Sequence, residues 1–386
     1  MVVVEMFELC DQSKCTGCAG CVNACPVQCI SLKPDDMGRP VPVIDEKKCI
    51  SCKKCVSVCP VINPAPVYDP INCFAAMRKD IASLKRCASG GVATLLMEYY
   101  IQQENWSVYS TCLNNKLMPE ITEICSKQDV EKCKGSLYVQ SQTGKAFQNI
   151  LTALKKGRNV LFIGTPCQVA ALIMYTPTGY RNNLYCCDLF CHGVVPYSYL
   201  KDELNYLKQR DITSVTFRGY DVREDHWFIT WNGTKKVYAK SGLINYYSKA
   251  FYDCVSLREN CFYCRYAQSK RCGDLSLGDF LGLDKKSMEH FRNNCVTAIL
   301  LNTEKGSQLL TNIIDLLKID ERPYAEAVAG GASLQKPSVK PESRSKFEKK
   351  YRKTHNFAVS IRKTIKKEMC YANIRRIFRY LKKKLS

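Results

Sequence analysis

One cysteine run that occurs twice constrains this chain more than any other feature. Cys15-x2-Cys18-x2-Cys21-x3-Cys25-Pro26 recurs as Cys49-x2-Cys52-x2-Cys55-x3-Cys59-Pro60. Three thiols two residues apart can grip one cubane from a tight loop, while the fourth, followed by proline, reaches the neighbouring cluster. That crossing assigns one [4Fe-4S] cluster to Cys15, Cys18, Cys21 and Cys59, and a second to Cys49, Cys52, Cys55 and Cys25. Each Cys-Pro is expected to open a short helix. Gly17 and Gly20 lie between ligands, where a missing Cβ lets backbone N–H groups point at sulfur. Zinc is the rival occupant, because paired C-x2-C suits a tetrahedral ion, but a repeated triplet with Cys-Pro wastes ligands on zinc. Cys10 and Cys29 match no ligand slot and read as packing residues.

Thiols are abundant along the whole chain: 25 of 386 residues are cysteine. Met1–Leu9 is too short and too acidic for a secretory signal. The longest apolar stretch, residues 160–176, is broken by Gly164, Pro166 and Gln168, so no membrane span is expected. The expected location is cytoplasmic, and reducing conditions there favour metal binding or redox chemistry over disulfides.

Cysteine and charge divide the chain into three. Residues 1–70 hold 10 cysteines and are nearly neutral, whereas residues 336–386 hold 18 basic against 3 acidic side chains, most of the net charge of +21. Pro60, Pro64, Pro66 and Pro70 read as a stiff extended linker, and Gly330-Gly331 with Pro337 marks the second boundary. The expected domains are 1–66, 71–335 and 336–386. Between the cysteine runs, residues 34–38 read as a turn and Val41–Ile44 as a short strand. In the middle segment, Gly91–Gln103 has helical periodicity, Asn159–Ile163 is a short buried strand, and a helix starts near Gln168. Residues 215–218, 227–231 and 236–239 read as further strands. The whole is an α+β chain: a small two-cluster domain, a mixed α/β domain and a basic helical C-terminal segment.

The middle segment carries chemistry-bearing residues in distinctive contexts. Cys167 stands in Gly164-Thr165-Pro166-Cys167-Gln168, Cys191 in Phe190-Cys191-His192-Gly193, and Cys261-x2-Cys264 precedes Gly273-Asp274-Leu275-Ser276. Spacing alone leaves a shared metal site and separate buried or reactive thiols both open. Ser89-Gly90-Gly91 opens a helix, where free N–H groups and the positive end of the dipole can receive a pyrophosphate. Gly164-Thr165-Pro166 repeats that geometry after a strand. Ser136, Tyr138 and Ser141 offer hydroxyls and an aromatic face, and Lys134 can balance phosphate charge. Neither a GxGxxG nor a Walker sequence occurs, so nicotinamide and NTPase sites lack direct support.

The first segment is similar to bacterial two-cluster ferredoxins. Residues 70–335, through the motifs just quoted, resemble the coenzyme F420 hydrogenase/dehydrogenase beta-subunit family. The resemblance implies bound FAD and a third [4Fe-4S] cluster, with ligands Cys167, Cys191, Cys261 and Cys264 by motif position. Cys186, Cys187 and Cys272 are extra thiols nearby that leave the fourth ligand open. On physical grounds the candidate flavin contacts are Ser89, Gly90, Gly91, Lys134, Ser136, Tyr138, Ser141, Gly164, Thr165, Pro166 and Gln168. His192 reads either as a tuning group or as a hydrogen-bonded structural residue.

The expected function is therefore an iron–sulfur flavoprotein oxidoreductase acting on a small organic substrate, with a deazaflavin as the substrate class the family name suggests. The alternative is a non-catalytic electron-transfer subunit that wires a partner enzyme to ferredoxin or coenzyme F420. Either needs a redox partner protein. No residue reads as a catalytic acid or base. In the C-terminal segment Ile374, Ile377, Phe378, Leu381 and Leu385 fall at helical spacing among Arg and Lys. Such a helix suits an anionic membrane surface, or packing on its own protein or a partner. No nucleic-acid module accompanies the charge.

Overall fold

The structure is a computed structural model of the full chain. It describes residues 9–84, 86–207, 212–218, 227–231, 234–239, 246–291, 296–372 and 374. The first unit pairs strands β1 (Ile30–Pro34) and β2 (Pro40–Ile44) in an antiparallel hairpin, with Ile30 opposite Ile44. Its turn is held by Asp35, whose Oδ1 accepts from the Met37 and Arg39 N–H groups at 2.9 Å each. Two short helices, α1 (Gly20–Ala24) and α2 (Lys54–Ser57), follow the cysteine triplets. Both end before their Cys-Pro, which corrects the expected order: Cys25 is the extended residue that terminates α1, and proline after it prevents continuation.

The second unit is built on an eight-stranded mixed sheet. Its strands are β3 (Asn72–Arg78), β4 (Trp106–Leu113), β5 (Pro119–Ile124), β6 (Asn159–Gly164), β7 (Leu184–Leu189), β11 (Leu275–Asp279), β12 (Thr297–Leu301) and β13 (Leu317–Glu321). The order across the sheet is β13-β3-β12-β11-β7-β6-β4-β5. Strands β4, β6, β7 and β11 are parallel neighbours, and β3 runs with them because it is antiparallel to β12, itself antiparallel to β11. Their carboxyl ends thus share one edge, the usual location of ligands in such sheets. Between β7 and β11, β8 (Ile212–Thr216), β9 (Trp227–Trp231) and β10 (Thr234–Ala239) form a separate three-stranded sheet.

Alternation along β6 explains why both faces of the large sheet are covered. Val160 and Phe162 pack under Phe147, Ile150 and Val169–Leu172, while Leu161 and Ile163 meet Val92, Leu95 and Leu96 on the other face. Three helices do this covering: α3 (Val92–Tyr100), α5 (Ala146–Lys155) and α6 (Pro166–Tyr175), with α4 (Lys127–Cys133) beside β4. The helix expected near Gln168 begins two residues earlier, because Pro166 fits the first helical turn. Among the described residues one disulfide, Cys112–Cys133, departs from the expectation of reduced thiols; α4 packing on β4 brings the two Cα atoms to 4.5 Å.

The proline segment is extended, but it is bound along its length rather than free. Tyr68 and Arg271 exchange backbone hydrogen bonds at 2.8 and 2.9 Å, the Ala65 N–H meets the Tyr266 hydroxyl, and Ile71 N donates to Leu301 O at 2.6 Å. The C-terminal segment is likewise packed where it is described. Helices Ser343–Thr354 and Phe357–Thr364 bury Phe347, Tyr351, Phe357 and Ile361 in a core with Tyr199, Phe217 and Tyr247. Ile374 is exposed; the rest of the amphipathic stripe, Ile377 to Leu385, lies outside the described residues. No helix of the described residues is long and apolar enough to cross a membrane.

Phe357 is fully buried and stacks on Tyr199 with ring centroids 4.9 Å apart. Phe357→Ala should therefore cost about 3–5 kcal/mol of stability, read as a fall in the denaturant midpoint. An unchanged midpoint would contradict this packing.

Candidate redox site

The two cysteine runs fold around two hollows, each lined by three cysteines of one run and the fourth of the other. One is lined by Cys15, Cys18, Cys21 and Cys59 with Leu9, Leu32, Pro42 and Val61. The other is lined by Cys25, Cys49, Cys52 and Cys55 with Val27, Ile30, Ile44 and Ile50. Among the described residues no three His, Cys, Asp or Glu side chains converge tightly enough for a single metal ion. Thiols spread around a hollow suit a multi-iron cluster better than a zinc ion. Gly17 N donates to Cys15 Sγ at 3.4 Å, and the Gly20 N–H acts on the Cys18 sulfur.

Cys29 packs in the core of the first unit, and both Cys10 and Cys29 also border the hollows. Cys10 lines the first hollow beside Cys15 and Cys59, and Cys29 lines the second with its sulfur 3.4 Å from Cys25 Sγ. Sequence spacing gave no sign of this, because neither thiol sits at a repeat position.

The cysteines of the middle segment gather from three places. Cys167 is at the start of α6, Cys191 follows β7, and Cys261 and Cys264 lie on and after a 3-10 turn at Glu259–Tyr263. Burial pushes the Cys191 thiol up, and Cys261, Cys167 and Cys264 each add to the effect, so the four share one neighbourhood. The remaining thiols are committed elsewhere: Cys272 Sγ donates to Pro166 O at 3.4 Å, and Cys186 and Cys187 point into the cores on opposite faces of β7. Behind them, Arg271 pairs with the buried carboxylate of Asp188. His192 Nε2 lies 3.3 Å from Phe251 O, the hydrogen-bonded structural reading.

This third set lies against the first. Cys18 and Cys167 pack on the same core, and the charge of the Cys167 sulfur reaches Cys18. The loop Cys15–Cys18 is held there by side chains of the second unit. Gln140 Nε2 donates to Thr16 O at 3.2 Å, Thr143 Oγ1 to Cys18 O at 2.8 Å, and Arg258 Nη2 to Cys15 O at 3.0 Å. Gly17 is required for the fit: its φ is +63°, and a Cβ there would stand 2.6 Å from Gln140 Nε2.

The expected flavin residues divide into two groups along the carboxyl edge of the sheet. Gly91 caps α3 with φ +78°, and a Cβ on Gly90 would meet Ala76 O at 2.3 Å, so only backbone occupies this approach. Lys134 reaches back to Ser83 O in the loop before it, and Gly135 lies against Arg86 and Arg218. The guanidinium of Arg78 pairs with Glu98 at 2.8 Å and that of Arg218 with Asp279 at 2.9 Å, yet among the described residues the buried Nε atoms of both arginines have no partner. The unused donor of Arg78 beside the Gly91 helix start fits an anionic group such as a pyrophosphate. The second group is occupied internally. Gln168 caps Thr165 and donates to Ser141 Oγ at 2.6 Å, Ser89 Oγ donates to Val296 O at 2.9 Å, and Tyr138 stacks on Phe251 at 4.5 Å. Ser136, with φ +50°, holds the turn between these groups, and Gly164 lies against the Phe162 ring. Arg78 and Arg218 were not foreseen, since nothing in their sequence context distinguishes them.

Residues 14–63 match the family described as 4Fe-4S dicluster domain, which takes in all eight cysteines of the two runs. Residues 157–327 match the family described as coenzyme F420 hydrogenase/dehydrogenase, C terminus of the beta subunit. Cys167, Cys191, Cys261 and Cys264 all fall inside the residues this second model matches, whereas Ser89–Gly91 and Lys134–Ser141 precede them. A chain of the F420-reducing [NiFe] hydrogenase complex from Methanosarcina barkeri is 15% identical with a TM-score of 0.46, covering 69% of this chain and 91% of that chain. No curated protein matches.

Burial disfavours thiolate and holds both Cys18 and Cys167 at about 12. Without iron these groups are therefore neutral thiols at pH 7, and loading must displace their protons. Iron uptake by the apoprotein at limiting iron should rise as pH is raised from about 7 to 9. Uptake that is flat or falls over that range would contradict the assignment of buried thiols as ligands.

Proposed function

We propose that the chain is an iron–sulfur flavoprotein oxidoreductase that exchanges electrons with a redox partner protein and reduces or oxidises a small organic molecule. The observation that carries the reading is the serial placement of three thiol sets. They lead from the exposed Cys52 and the second hollow, through the first hollow, to Cys167, Cys191, Cys261 and Cys264 at the carboxyl edge of the sheet. Residues that would hold [4Fe-4S] clusters are those of the three sets, and residues that would hold FAD are Gly90, Gly91, Arg78, Lys134 and Arg218. When bound, the clusters supply one-electron transfer and the flavin exchange of electrons singly or in pairs, which joins a one-electron carrier to a two-electron organic substrate.

The chain's own residues prepare each site. Leu9, Leu32, Pro42, Ile30 and Ile44 give the two hollows apolar walls, and the Gly17 N–H donates to sulfur. Arg78 presents its Nε–H beside Gly91 at the start of α3, and the backbone of Arg218 lies against Gly135. The deazaflavin of the family's name is one substrate class to offer. The exposed second set also suits a subunit that only relays electrons; reduction of an organic acceptor by the purified chain with ferredoxin-supplied electrons distinguishes the enzyme from the relay.

Protein purified without oxygen should contain about 12 iron and about 12 acid-labile sulfide, four per cluster, with about one FAD per chain. About 8 iron and no flavin would leave only the two-cluster unit and overturn the reading. Arg78→Lys keeps a cation for Glu98 and removes the Nε–H. It should weaken FAD retention by roughly tenfold or more while iron content stays constant. Unchanged retention would exclude Arg78 from the flavin site.

A further inference from the structure

The first and third cysteine sets share one buried cation. Arg258 is 1% exposed. Its Nη1 donates to Gln140 Oε1 at 2.8 Å, its Nε to Asn260 Oδ1 at 3.0 Å, and its Nη2 to Cys15 O at 3.0 Å and Pro40 O at 3.3 Å. All of these acceptors are neutral. The other two most deeply buried arginines have carboxylates: Arg271 has Asp188, and Arg344 has Glu348 at 2.7 Å. Among the described residues no carboxylate forms an ion pair with Arg258, and Asp35, whose charge reaches it, is already paired with Arg39 at 2.6 Å.

A guanidinium stays protonated in proteins, and an isolated buried charge is costly, so such a residue calls for a counter-charge. The thiol sets reach it through the charges of Cys15 and Cys261, while Arg39 acts against them. Arg258 Nη2 holds the Cys15 carbonyl, the Arg258 carbonyl accepts from Cys261 N at 3.1 Å, and the Arg258 charge acts on the Cys15, Cys167 and Cys261 sulfurs. Four thiolates around a [4Fe-4S] core leave a net negative site, which becomes more negative on reduction. A fixed positive charge between two such sites offsets that gain, and net charge is one of the levers that set cluster potentials.

We propose that Arg258 is the shared counter-ion of the cluster on Cys15, Cys18, Cys21 and Cys59 and the cluster on Cys167, Cys191, Cys261 and Cys264. It raises the potentials of both and so keeps them matched for electron transfer. One electron leaves the first site, which is oxidised, and arrives at the third, which is reduced; no proton moves with it, and the electron comes from an external one-electron carrier. Arg258 is a positioning residue for charge and touches no substrate. Gln140 is its orienting partner, held in turn by Thr16 O and Gly17 O. The inference rests on the cluster assignments proposed above and goes beyond them in giving those sites a common regulator.

The test is an EPR-monitored redox titration of the full chain purified without oxygen, with iron and sulfide measured on each sample. Arg258→Met removes the charge. Gln140→Glu keeps the guanidinium in place and sets a carboxylate against it, so it reports on charge even where the first variant folds poorly. Both should lower the electron affinity of the first and third sites about tenfold or more, which is about 59 mV for a one-electron couple. The second site, which has no hydrogen bond to Arg258, should move less. Arg258→Lys should restore most of the shift. Potentials unchanged in Gln140→Glu at full iron content, or shifted equally at all three sites, would overturn the role of Arg258. Wild-type protein lacking the cluster signals would instead overturn the cluster assignments themselves.

Discussion

The structure depends on how the loop Cys15–Cys18 is seated on the second unit. That loop has almost no hydrogen-bonding structure of its own beyond the Gly17 N–H on the Cys15 sulfur. Its carbonyls at residues 15 to 18 are instead taken up by Arg258, Gln140 and Thr143. Tyr266, two residues after Cys264, donates to Pro60 O at 3.1 Å, beside the cysteine that completes the first hollow. Asn23 Nδ2 bonds Gly144 O at 2.9 Å, and Tyr199 donates to Met37 O at 2.8 Å. Buried backbone groups left unpaired are costly, so these contacts fix the two units in one register. The same contacts fix Cys18 beside Cys167, and the serial order of the thiol sets follows from them.

A second constraint comes from the sheet. Because β3, β4, β6, β7 and β11 run together, the loops that carry Ser89–Gly91, Thr165–Cys167 and Cys191 all emerge at one edge. The helix starts at that edge bring backbone N–H groups, and the β3 and β8 regions bring Arg78 and Arg218. Fixed cations and free donors at the end of a chain of thiol sites are what an anionic two-electron cofactor requires. The C-terminal helices serve this arrangement indirectly: Phe347, Tyr351 and Phe357 support Tyr199 and Tyr247, which hold the hairpin turn and the Tyr138 segment.

Much of the site was legible because short-range spacing dictates it. A triplet of cysteines two residues apart can do little but surround a cluster, and the strand–turn–helix around Gly164 announces itself through hydrophobic run, glycine and proline. What was not legible depends on contacts between distant residues. Arg258 meets Cys15 across 243 positions and Gln140 across 118. An arginine near a cysteine pair looks like any surface arginine until the fold removes its solvent. The position of Cys29 against Cys25 depends on the hairpin that follows it, and the Cys-Pro steps end helices rather than begin them, since proline restrains the residue before it. In the C-terminal segment, packing on its own protein was one of the readings open, and Phe347, Tyr351, Phe357 and Ile361 do pack into the core of the second unit.

The central claim is adjacency: the thiol set of the small unit and the thiol set of the sheet edge stand next to each other as neighbouring one-electron sites. The EPR spectrum of the fully reduced chain reads this directly. Neighbouring paramagnetic clusters should give a spectrum broadened and split by mutual coupling, and Cys167→Ser should simplify it while leaving the two clusters of the small unit. A sum of isolated, uncoupled signals that Cys167→Ser leaves unchanged would contradict the account.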